Sequence, residues 1–62
     1  MLTPEQLEIA TKKMCELRGW ENSLSDAYVA RQMILGNLSW MKPTWEKNAQ
    51  TAIKFAKEPN ND

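Results

Sequence analysis

Residues 3–19 read TPEQLEIATKKMCELRG, and this stretch decides the fold because it carries both ends of a helix. Thr3 stands as an N-cap, Pro4 takes the first helical position, where its missing N–H costs nothing, and Gln6 at N3 completes a capping box. Leu2 and Leu7 fall at the two positions of a hydrophobic staple. At the other end Gly19 supplies the stop, and Arg18 in the last turn suits the negative end of the helix dipole. Between them Leu7, Ala10, Met14 and Leu17 recur at helical spacing and form one apolar stripe. Glu8, Lys12 and Glu16 are spaced for i,i+4 ion pairs on another face, and Ile9 sits almost opposite the stripe. The reading is a helix over residues 4–18.

The same punctuation recurs downstream. Ser23 and Ser25 are both suited to cap a second helix, Asp26 fits its first turn, and Gly36 ends it. Leu24, Ala27, Tyr28, Arg31, Ile34 and Leu35 have helical spacing and form one stripe along it. Val29 and Met33 lie off that stripe, so this helix is apolar on more than one side, as suits a central helix or one sandwiched in a dimer. Pro43 pushes Lys42 away from helical angles and opens a third helix. Trp45, Ala49, Ala52, Ile53 and Ala56 make its stripe, Phe55 stands to one side, and the helix ends before Glu58-Pro59. No strand pattern or repeat is present. The expectation is an all-α protein, a small three-helix bundle or helical hairpin assembly, with residues 1–58 as a single domain and 59–62 as a frayed tail.

Composition limits what such a chain can do. At 62 residues a lone core contributes little net stability, about 3–5 kcal/mol. Cys15 is the only cysteine and there is no histidine, which rules out an internal disulfide and leaves no ligand set for structural zinc. Self-association is the remaining route to stability, so a homodimer is expected. The eight basic and eight acidic residues cancel, which disfavours nonspecific binding to nucleic acid or to an anionic membrane. No apolar run approaches a membrane span, the first residues have no signal-peptide pattern, and a free cysteine fits a reducing compartment, so a cytoplasmic protein is expected.

Catalysis finds no support in the residues. Without histidine, Ser-His-Asp and Cys-His sites are excluded within one chain. Cys15 lies mid-helix beside the apolar stripe and next to Glu16, whose charge raises a thiol pKa, so it reads as a small buried hydrophobe. Gly19 and Gly36 are the only glycines, and both read as helix stops rather than as parts of a phosphate-binding loop. Neither a cofactor nor a small-molecule substrate is expected, and the chain does not read as an enzyme.

Two binding readings are left. A helix-turn-helix DNA regulator would use Lys42, Lys47, Lys54 and Lys57, but the connector from Gly36 to Lys42 is long for that motif. The third helix also opens Pro43-Thr44-Trp45-Glu46, without the Arg, Gln or Asn that reads base edges. Protein binding has positive support in the three tryptophans, an unusual load for so short a chain. Trp45 lies on a helical stripe and is expected in the core. Trp20 and Trp40 lie in connectors, free to face a partner, and with Tyr28, Arg31 and Met41 they are the candidate partner-binding residues.

The helix led by Thr3-Pro4-Glu5-Gln6 and closed by Cys15-Glu16-Leu17-Arg18-Gly19 resembles those of short phage and prophage accessory proteins. So does the later Trp45 with Ala49, Ala52 and Ile53, the resemblance covering about half the chain. It implies a phage-encoded protein acting in the bacterial cytoplasm, and it brings no activity or site residue with it. On the residues themselves, the expected function is a non-catalytic protein-interaction module whose partner is a second copy or a host protein.

Overall fold

The computed structural model describes residues 2–21, 23–36 and 42–58, and these form three α-helices packed on one another, with no strand among them. Helix α1 spans Pro4–Arg18, α2 spans Leu24–Leu35 and α3 spans Pro43–Lys57. The capping box of α1 is complete: the Gln6 N–H donates to Thr3 Oγ1 at 3.1 Å, and the Thr3 N–H donates to Gln6 Oε1 at 3.0 Å. Leu2 and Leu7, the two staple residues, are half-buried against the core.

At the far end of α1, Gly19 adopts a left-handed conformation with φ of 72°, which only glycine enters without cost. The Gly19 N–H donates to the Glu16 carbonyl at 3.1 Å and the Trp20 N–H to the Cys15 carbonyl at 2.9 Å, the paired bonds of a Schellman motif. That motif places an apolar residue at Trp20 back over the last turn, and Trp20 is half-buried against the core. Helix α2 is capped by Ser23 rather than Ser25, its hydroxyl accepting from the Asp26 N–H at 3.3 Å. Gly36 closes α2 as Gly19 closes α1. Helix α3 begins at Pro43 without a side-chain cap and ends with Lys54 and Lys57 in its last turn.

The core is built largely from small side chains. Its buried members are Ala10, Met14 and Cys15 of α1, Ala30, Met33 and Ile34 of α2, and Ala49, Ala52 and Ala56 of α3. The alanine stripe of α3 lets that helix approach closely, and α1 packs more extensively on α3 than on α2. Burial stabilises by about 25 cal/mol per Å² of apolar surface, so an alanine-rich core contributes less than a leucine-rich one of the same length. Among the described residues Thr11 is the buried polar one, and its hydroxyl is satisfied by donating to the Leu7 carbonyl at 2.7 Å.

Two expectations, on Trp45 and on the α1 ion pairs, are corrected, and the faces of α1 and α2 are resolved. The buried face of α2 is Ala30, Met33 and Ile34; of the stripe read from the sequence only Ile34 is buried, and Leu24, Tyr28, Arg31 and Leu35 face outward, which leaves the candidate partner residues Tyr28 and Arg31 at the surface. The facing helices offer alanines and methionines, and the smaller face of α2 fits them better than a Leu-Tyr face does. Leu17 lies at the margin of the core, 39% exposed, while Cys15 is buried as expected and Thr11 is buried beside it. Trp45 is half-buried at the core's edge rather than enclosed: the buried face of α3 is taken by Ala49, Ala52 and Ala56, and the indole lies beside the Arg18 and Lys42 cations. The ion pair on α1 is Lys13–Glu16, at 3.3 Å, one turn apart with i,i+3 spacing, in place of the pairs expected from Glu8, Lys12 and Glu16.

Candidate functional site

Helix α2 is apolar on two opposite sides, and only one of them is used inside the chain. Successive residues rotate by about 100° around a helix. On that wheel Leu24, Tyr28, Arg31 and Leu35 fall within an arc of about 60°, centred about 140° from the buried face of Ala30, Met33 and Ile34. Their spacing is four, three and four, the interval that keeps a seam on one side of a helix against a partner helix. Leu24 is 93% exposed, Tyr28 66% and Leu35 47%, so the stripe stands in solvent along the whole of α2. Ile9, Leu17 and Phe55 are exposed large hydrophobics elsewhere, at 39%, 39% and 51%, but among the described residues only on α2 do three such side chains share one helix face.

Between the stripe and α1 lies an open groove of about 850 Å³. Its apolar lining includes Leu7, Ile9, Leu24 and Ala27, with the Tyr28 ring on the α2 side. Glu8 and Lys12 on the α1 wall and Arg31 on the α2 wall give it charges of both signs. Ile9, read from the sequence as lying opposite the α1 stripe, is 39% exposed here.

The remaining exposed aromatic surface is shielded by the chain's own cations. Lys13 Nζ stands 4.5 Å from the centre of the Phe55 ring and is paired with Glu16. The Arg18 guanidinium and Lys42 Nζ lie 5.5 and 5.6 Å from the centre of the Trp45 ring. Such contacts are each worth about 0.5–1 kcal/mol at exposed positions, and they close the margin of the α1–α3 seam.

The sequence-predicted site residues divide accordingly. Tyr28 and Arg31 are brought together on the exposed stripe, whereas Trp20 packs against the core at the end of α1. Trp40 and Met41 lie outside the described residues, as does the tail at 59–62. Lys42, Lys47, Lys54 and Lys57 are all exposed, and Lys42 is engaged with Trp45. Leu24 and Leu35, absent from the residues expected to bind a partner, join Tyr28 and Arg31 on this row, and their four-three-four spacing is the sequence signal for it.

Cys15 is enclosed, and burial pushes its thiol pKa up, with the Asp26 carboxylate adding to the effect. A thiol held protonated in this way is a poor nucleophile. Among the described residues no group of three histidine, cysteine, aspartate or glutamate side chains is arranged to hold a metal ion, and no helix is long and apolar enough to cross a membrane. Comparison with protein-family models, with curated proteins and with solved structures finds no match to this chain.

Proposed function

We propose that this chain is a non-catalytic interaction module that works by presenting the outer face of α2 and the adjoining groove to a protein partner. The observation that supports the reading is the Leu24, Tyr28 and Leu35 stripe, which a helix with a second, buried apolar face does not need for its own packing. Exposed apolar side chains in a continuous row, rimmed by charge, are the surface form of an interaction site. Tyrosine and arginine, both present on the stripe, are the residue types that concentrate binding energy. The thin alanine core adds a thermodynamic motive, because a chain of marginal stability gains from any partner that binds only its folded state. A second copy is the first partner in this reading. If the resemblance to phage accessory proteins reflects its origin, a host protein in the bacterial cytoplasm is the other.

The test is capture from bacterial lysate by the immobilised chain, run beside a Leu24→Asp, Tyr28→Asp double variant of unchanged helicity. The reading expects a defined protein, or added soluble copies of the chain itself, retained by the parent and lost by the variant. Equal retention by both baits would move the binding surface away from α2. Retention of nothing by the parent would remove the reading altogether.

A further inference from the structure

The exposed stripe of α2 is its own complement when reversed, and from this we infer that two copies pair through α2 as an antiparallel, two-fold symmetric helix dimer. The inference rests on the interaction reading above and names the partner and register for that same face. The stripe runs Leu24, Tyr28, Arg31, Leu35, with intervals of four, three and four that read alike in both directions. Laid antiparallel on a second α2 about a two-fold axis at its centre, Leu24 meets the partner's Leu35 and Tyr28 meets the partner's Arg31. Every position then has a compatible neighbour. The two leucine pairs bury apolar surface at the ends, and the two guanidiniums lie against tyrosine rings at the centre, where arginine stacks favourably.

The parallel alternative fails on charge. It would set Arg31 directly against the partner's Arg31 and desolvate two like charges together. In the antiparallel register each Arg31 is set against a tyrosine instead of a second guanidinium, and the net charge of zero removes any general repulsion between copies. Scale is also suitable. The twelve residues of α2 give a seam about 18 Å long, and the α1 wall of the groove widens it around Ile9.

Directed cross-linking tests register and partner together. Leu24→Cys and Leu35→Cys are made as separate full-length chains, both at exposed positions, so circular dichroism should report unchanged helicity. The parent, whose single thiol is buried, is the oxidation control. In the proposed register the two Leu24 positions lie about 16 Å apart along the seam, beyond the roughly 7 Å between α-carbons that a disulfide can bridge. An equimolar mixture should therefore yield at least tenfold more disulfide-linked dimer than either variant oxidised alone. Strong cross-linking of Leu24→Cys to itself would overturn the antiparallel register. A dimer by sedimentation that cross-links in no combination would overturn the choice of face. A parent that stays monomeric to millimolar concentration would overturn self-pairing, while a foreign protein captured through Leu24 and Tyr28 would leave the broader interaction reading standing.

Discussion

The two exposed aromatic regions of this chain are treated in opposite ways. On the α1–α3 side, Phe55 is 51% exposed yet lies beneath Lys13, and Trp45 at the same seam has Arg18 and Lys42 against its ring. On the outer side of α2, Tyr28 is 66% exposed with Leu24 and Leu35 in line, and no cation stacks on it among the described residues. Fractional exposure alone does not separate the two regions. What separates them is whether the chain furnishes its own cover. A ring beneath a lysine stem is already partly desolvated and offers little gain to a partner, whereas an uncovered seam retains its full driving force.

The largest effect should come from the side of α2 that is already used. Met33 is 1% exposed and Met33→Ala should cost about 2–5 kcal/mol, enough to unfold much of a chain this small. Thermal melting followed by circular dichroism would show it, and a shift of only a few degrees would mean that the buried and exposed faces of α2 have been exchanged. A smaller effect is expected at the self-covered aromatic. Lys13→Ala removes both the cation over Phe55 and the ion pair to Glu16, and should cost about 0.5–1 kcal/mol without altering association. A Lys13→Ala chain that begins to aggregate or to gain partners would sharpen the point, since Phe55 would then be a latent surface that lysine suppresses.

The smallest effect concerns Cys15. Its thiol pKa is raised in the folded chain by burial and by Asp26, above an unfolded value of about 8.5. A raised acid pKa means that the native state holds its proton longer than the unfolded state does. Stability from this group is thus fully present below about pH 8 and declines as pH rises beyond the unfolded value. Melting temperature should fall over that range in the parent, and Cys15→Ala should flatten the dependence. Equal slopes in the two chains would mean that the thiol is not as enclosed as its 1% exposure indicates.

Local punctuation made most of the fold legible in advance. Thr3, Pro4 and Gln6 marked one helix start, Pro43 another, and Gly19 and Gly36 marked two ends, because each rests on a backbone requirement that neighbours cannot easily override. The facing of α2 was not legible in the same way. A count of apolar spacing favours Leu24, Tyr28 and Leu35 as the core face, since they are larger than Ala30 and comparable to Met33 and Ile34. The helices opposite settle the matter through volume: α3 presents Ala49, Ala52 and Ala56, and close approach selects the slimmer face of α2. Trp20 is half-buried for a different reason: the glycine stop brings an apolar contact one residue later, which ties the indole to the end of α1. The same lesson locates the candidate site, because apolar residues that satisfy helical spacing yet lose the competition for the core remain available at the surface.

Sedimentation of two charge-insertion variants beside the parent tests the account most directly, from micromolar to millimolar concentration. Leu24→Asp places a carboxylate on the uncovered α2 seam, and Phe55→Asp places one at the self-covered α1–α3 margin; both sites are exposed enough to keep the fold. The account predicts that the parent and Phe55→Asp self-associate alike, while Leu24→Asp needs at least about thirtyfold higher concentration, the loss of about 2 kcal/mol expected of an interface anchor. Association disrupted by Phe55→Asp and untouched by Leu24→Asp would contradict it.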